Sequence, residues 1–141
     1  MAISVIQDTK TALPLIRATM PDSLYQSAIA ALSEYDPNRI LYGYYKEGSL
    51  VGCCGSYWDG DKCWISWTAV DPEYQHQQIG TTLLRCVIVD IDTTLYVETY
   101  EHPAFFNAVQ FYWKNGFRLC GQLCGHGPDN STVLYLKRDN L

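Results

Sequence analysis

The spacing of apolar positions divides the chain into segments of two different periods. Residues 3–6 alternate and read as a short strand. Residues 11–18 and 23–35 follow the helical repeat and are separated by Met20-Pro21-Asp22. The second of these carries the stripe Leu24, Ala28, Ala31 and Leu32, with Asp22 or Ser23 as its cap. The period then shortens. Residues 40–46 and 49–58 are strand-like and joined by Glu47-Gly48 as a tight hairpin. Asp59-Gly60-Asp61 turns the chain into a third strand over 62–70, completing an antiparallel meander. A polar loop follows Asp71-Pro72 and leads into a helix over 79–90. Its inward positions are Leu83, Leu84, Val87 and Ile88, with Thr82, Arg85 and Asp90 opposite. A strand over 94–99 comes next. A helix then opens at Pro103, runs to Asn115 and stops at Gly116. Final strands over 117–123 and 131–137 flank a loop at 125–130. The pattern predicts one α+β domain over residues 1–141, a meander first and β-α-β-α-β after it.

Composition narrows this picture. A chain of 141 residues that is 48% hydrophobic and 18% charged can bury a core unaided and is neither disordered nor fibrous. No apolar run approaches the ~20 residues of a membrane span. The first ten residues lack the order of a signal peptide, so a cytoplasmic location without membrane attachment is expected. The net charge is −5, and no Lys/Arg cluster is denser than Lys137-Arg138. That argues against nucleic acid as a partner, whereas the field of an acidic protein favours a cation such as an amine. The six cysteines supply no pair of C-x₂-C motifs, and the C-x₃-C of Cys120 and Cys124 has no second half. Free thiols and no metal site are expected.

The stretch from Val70 to Leu84 carries the first chemical signal. A strand ends, a polar loop follows, and a helix begins behind Gln77 and Gln78, which are poor caps. The first amides of that helix need water or an anion as partner. Gly80 has no Cβ and allows a ligand close to the backbone. The spacing is not that of a P-loop, which ends in Gly-Lys-Ser/Thr.

The segment resembles the GNAT N-acetyltransferase superfamily. Its central motif, a strand ending in Val-x-Pro and then Gln/Arg-x-x-Gly-x-Gly/Ala opening a helix, stands here as Val70-Asp71-Pro72 and Gln75-His76-Gln77-Gln78-Ile79-Gly80. A second landmark, Asn-Ala followed by Tyr-x-x-x-Gly-Phe, stands as Asn107-Ala108 and Tyr112 to Phe117. The two lie in register across Trp64 to Phe117. The resemblance implies a GNAT-like fold: a mixed, largely antiparallel central sheet, splayed in the middle, with helices on both faces. It also implies acetyl transfer from acetyl-CoA to the primary amine of a small molecule or peptide. Carried over residue by residue, the amides of His76, Gln77, Gln78, Gly80 and Thr81 hold the pyrophosphate, with Gln75 opening the motif. The main chain at Thr68 and Val70 pairs with the pantetheine arm, Asn107 bonds the same arm, and Tyr112 sits by the sulfur. Relatives commonly dimerise through sheet edges or final strands, which leaves room for a homodimer.

Two departures bear on mechanism. Gln78 replaces the family's first glycine, and a residue with a Cβ resists positive φ. The strand over 63–70 carries no carboxylate to act as base. Glu98 on the next strand, sharing a face with Tyr96 and Tyr100, is the remaining candidate; water-borne proton release is the alternative. Asp59, Asp61, His102 and His126 are further loop candidates. A phenol of ordinary pKa near 10 stays protonated at neutral pH, so Tyr112 suits the role of acid to the leaving thiolate. Set against this, Phe105, Ala108, Val109 and Tyr112 form a helical stripe that suits a plain core tyrosine. Asn107 and Tyr112 are five residues apart, about 7–8 Å along the axis, and can touch two points on a long arm. The meander aromatics, Trp64 and Trp67 among them, offer walls for an acceptor with an apolar part. The competing reading is a non-catalytic CoA-binding or scaffolding module on the same fold.

Overall fold

The computed structural model describes residues 2–139. The chain runs β1 (Ile3–Val5), α1 (Leu13–Thr19), α2 (Asp22–Leu32), β2 (Arg39–Lys46), β3 (Ser49–Asp59), β4 (Lys62–Val70), α3 (Ile79–Asp90), β5 (Leu95–Glu101), α4 (Phe106–Lys114), β6 (Arg118–Leu123) and β7 (Thr132–Arg138). The expected order is observed, and the differences lie at helix ends. The chain enters α1 through a 3₁₀ turn at Thr9–Ala12 capped by Asp8, and Pro14 is tolerated in the first turn because its missing N–H has no partner there. Neither Asp22 nor Ser23 caps α2. Pro21 occupies the cap position, its carbonyl accepting from the amides of Leu24 and Tyr25. Asp22 is already helical and favours the helix dipole from the first turn. The same helix ends at Leu32, not Tyr35, and Thr9 Oγ1 donates to the free Leu32 carbonyl at 2.6 Å. A 3₁₀ turn at Pro103–Phe105, capped by His102, precedes α4. Gly116 ends α4 with a φ of 92°.

Among the described residues seven strands form one sheet in the order β1-β2-β3-β4-β5-β7-β6, with the β4–β5 pair the only parallel one. Glu47 and Gly48 both have positive φ, which matches the twist of the β2–β3 hairpin. On one face Ile16, Ala28 and Leu32 of α1 and α2 pack with Leu41, Cys53 and Ala69 of the sheet. On the other, Leu83, Leu84 and Val87 of α3 and Tyr112 of α4 pack with Val51, Cys54, Ile65, Val97 and Leu136. Helices thus cover both faces. Contact is closest at Gly52, where an added Cβ would lie 2.9 Å from Ile79 and 3.2 Å from Leu83. Among the described residues no helix is long and apolar enough to cross a membrane.

Candidate active site

Strands β4 and β5 share three register pairs, Cys63–Leu95, Trp64–Tyr96 and Ile65–Val97. Beyond these, β4 runs on to Val70 and β5 to Glu101 without pairing each other, which opens a V in the middle of the sheet. Between Cys53 and Gly55 the β3–β4 register slips, so that β4 fits one extra residue. Trp67 takes the strain of this bulge with a φ of 53°. Its carbonyl accepts from the Cys53 thiol at 3.1 Å. The bulge aims the Thr68 hydroxyl to the α3/α4 side, 3.4 Å from Cys54 Sγ.

At the top of β4, Asp71 caps a 3₁₀ turn at Pro72–Tyr74, and Gln75 Nε2 donates to the Val70 carbonyl at 3.2 Å. His76 and Gln78 both turn left-handed, with φ of 66° and 63°. The glutamine therefore adopts the conformation expected of a glycine, at a cost of about 1–2 kcal/mol. Thr82 takes up the Gln78 carbonyl through its amide and its hydroxyl, at 3.0 and 2.7 Å. No side chain caps α3. The amides of Ile79, Gly80 and Thr81 precede any helical carbonyl that could receive them, at the positive end of the helix dipole. A Cβ on Gly80 would lie 3.3 Å from Phe111 Cε1, so the glycine also lets the start of α3 rest on α4.

Lys46 stands beside this loop, its Nζ donating to Gln77 Oε1 at 2.9 Å and lying 5.8 Å from the centre of the Tyr74 ring. The sequence reading did not single it out, although the signal was there. Gly52 pairs with Val70, so the hairpin that follows Lys46 must lie beyond the end of β4.

Tyr112 is buried on α4, edge-on to Phe111 and Phe117 at 5.3 and 5.5 Å. It is a core residue, and its hydroxyl also has Thr68 as hydrogen-bond partner at the bulge. Burial pushes that hydroxyl well above the usual phenol range; the nearby Cys54 thiol acts in the same direction, and the Thr68 bond opposes it. Burial likewise holds the Cys54 thiol up at about 12.

The acetyltransferase (GNAT) domain family matches residues 37–119 by its sequence profile. The chain belongs to the GNAT acetyltransferase family. Solved structures share its fold from end to end. A protein assigned to the GNAT family from Desulfovibrio desulfuricans superposes with a TM-score of 0.87 at 17% identity, covering 99% of both chains. The ribosomal-protein-S18-alanine N-acetyltransferase of Escherichia coli gives 0.78 at 18%, over 98% of this chain and 92% of that one. A GNAT acetyltransferase from Elizabethkingia anophelis, solved with acetyl-CoA bound, gives 0.73 at 21%, over 98% of each. At these identities the likeness is one of fold. No curated protein matches the chain by sequence.

Within this GNAT fold, Thr68 and Tyr112 meet at the V, while Gln75 to Thr81 form the loop above it and the start of α3. Asn107 lies exposed on the first turn of α4. Glu98 is the first β5 residue past the last β4 pair. It is exposed, accepts from the Tyr100 hydroxyl at 2.9 Å, and faces away from α4, since its neighbours Val97 and Thr99 are the buried ones. The loop candidates lie elsewhere. His102 is held between the Ala104 amide and Asp129, at 3.0 and 2.8 Å, and Asp59, Asp61 and His126 are exposed. All six cysteines are free.

Proposed function

We propose that the chain is an N-acetyltransferase that moves an acetyl group from acetyl-CoA to a primary amine. The observation that carries this reading is the Tyr112 hydroxyl, buried beside Thr68 where β4 leaves β5. The residues present fit the donor: uncapped amides at the start of α3 and the cation of Lys46 suit a pyrophosphate, and an unpaired length of β4 suits an extended amide-bearing arm. Thr68 and Val70 would hold that arm through their main chain, and Asn107 through its side chain. Bound there, acetyl-CoA supplies a thioester whose C–S bond breaks as the C–N bond to the amine forms.

Tyr112 gives its phenolic proton to the departing sulfur and regains one from solvent before the next turnover. Its raised pKa keeps that proton in place throughout the neutral range, and Thr68 orients the hydroxyl. Glu98, at the mouth of the V on the opposite face, takes the proton shed by the amine and passes it to solvent, to which it is open. Acid and base thus act from opposite faces of the sheet.

Titration calorimetry with acetyl-CoA and with free CoA tests the donor site, the expected result being saturable one-to-one binding. With any accepted amine, Tyr112→Phe is expected to lower kcat with little change in acetyl-CoA affinity. Unchanged turnover would remove Tyr112 from the mechanism. The non-catalytic reading draws on Gln78 and on the lack of a carboxylate on β4; binding of acetyl-CoA without transfer to any amine would favour it.

A further inference from the structure

Beyond β4 the face of the sheet that carries Glu98 is covered only near Tyr100, where Phe105 of the 3₁₀ turn packs edge-on at 4.9 Å. On that side α1 lies on β3 and β4, whereas among the described residues the α-helical contact of β5 comes from α4 on the other face. The register sets Tyr57, Trp64 and Tyr96 side by side in one row across three strands, and Tyr135 opposite Glu98 in the next. Trp64 is 5.4 Å from Tyr96 and 6.2 Å from Tyr135, centre to centre, and all three rings are half-buried. Trp64 and Tyr96 are tilted by 38° and Tyr135 stands edge-on to Trp64 at 75°, so the first two form an aromatic shelf beside the mouth of the V and Tyr135 forms its wall.

The lysines around the shelf are paired with carboxylates, Lys62 with Asp61 at 3.8 Å and Lys137 with Asp139 at 3.7 Å. At the end away from the V, Lys62 Nζ lies 5.9 Å from the Tyr96 ring, and Lys137 stands opposite Tyr96 in the register. At the V end stands Glu98, with Tyr100 donating to it. An ammonium held at Glu98, the base of the proposed reaction, leaves whatever it is attached to lying back over the rings. Arg39 shows that these rings accept cations on their faces, its Cζ lying 4.6 Å from the centre of Tyr57.

Building on the transferase reading above, we propose that the acceptor is an amine attached through a short linker to an aromatic ring, the ring lying on Trp64 and Tyr96 against the Tyr135 wall and the ammonium at Glu98. Flat rings reward stacking and apolar burial, whereas a polyhydroxylated amine would find few hydrogen-bond partners on such a surface.

The test compares three probes at saturating acetyl-CoA: 2-phenylethylamine, butylamine, which has the same head and no ring, and kanamycin. The expected result is a kcat/KM for 2-phenylethylamine about tenfold or more above that for butylamine, expressed mainly in KM. Trp64→Leu, checked by its melting curve, is expected to erase most of that preference; if it fails to fold, Tyr135→Leu takes its place. Equal use of butylamine, or better use of kanamycin, would overturn the proposal. A chain that gives no heat with acetyl-CoA would refute the transferase reading instead. The shelf is then read on its own, by quenching of tryptophan fluorescence with 2-phenylethylamine. Quenching that disappears in Trp64→Phe supports the shelf, and no quenching refutes it.

Discussion

On one side of the β4–β5 junction the sheet is covered on both faces; on the other it is covered on one. Strands β2 to β4 lie between α1 and α2 below and α3 above, and Leu41, Cys53, Cys54 and Cys63 are fully enclosed. Strands β5 and β7 have α4 on one face only, and the edge strand β6 is exposed along its length, Leu119 and Leu123 included. The difference teaches where each property resides. Stability is concentrated in the double-covered half, and the candidate chemistry lies at the seam and on the open face beside it.

The sharpest test of this contrast is a pair of leucines. Leu84→Ala, in the covered half, is expected to cost about 2–5 kcal/mol in urea unfolding, and Leu119→Ala less than about 0.5. Similar losses from both would break the comparison. At the seam, Tyr112→Phe is expected to lower kcat about a hundredfold or more, read by CoA release, and to cost only about 1 kcal/mol of stability. Back in the covered half, Gly52→Ala places a methyl 2.9 Å from Ile79, and a loss of about 1–3 kcal/mol is expected by thermal melting.

The buried thiols add a pH signature to the same half. Cys53 and Cys54 ionise at about 12 in the folded chain, pushed up by burial, against 9.0 when free. The unfolded state therefore sheds protons first as pH rises. The stability that the neutral thiols confer is intact below pH 9 and is lost progressively toward 12. Unfolding midpoints that fall over this range, and fall less in a Cys53→Ala/Cys54→Ala double variant, are the expected result. The smallest effect is at the loop. Gln78→Gly relieves left-handed strain and is expected to stabilise by up to about 1 kcal/mol, while its acetyl-CoA titration shows whether the glutamine crowds the phosphates.

Much of this architecture was legible in the residues. The bounds of α3 follow from its apolar stripe, and the turns at Glu47-Gly48, Asp59-Gly60 and Gly116 follow from glycine's freedom at positive φ. The fold family was read from two motifs rather than from periodicity, since no local pattern says that β4 and β5 part after Ile65. The bulge was not legible at all. Ser66-Trp67-Thr68 contains no glycine, and tertiary packing forces Trp67 to positive φ. That bulge decides where Thr68 points, so the hydroxyl partner of Tyr112 could not be derived from alternation along the strand. The helical stripe placed Tyr112 inward correctly but could not give the reach of its hydroxyl. Lys46 was recoverable from topology, because an antiparallel meander returns its first hairpin to the end of its third strand.

The distribution of sulfur gives the molecule a set of internal clocks. Cys53, Cys54 and Cys63 are sealed in the covered half, whereas Cys120 stands in the open within the outermost strand and Cys124 just past its end. A thiol reagent added to the native protein will label the outer pair within its mixing time and then wait on the inner three. The slow phase counts openings of one half of the sheet, residue by residue under mass spectrometry, without any engineered probe.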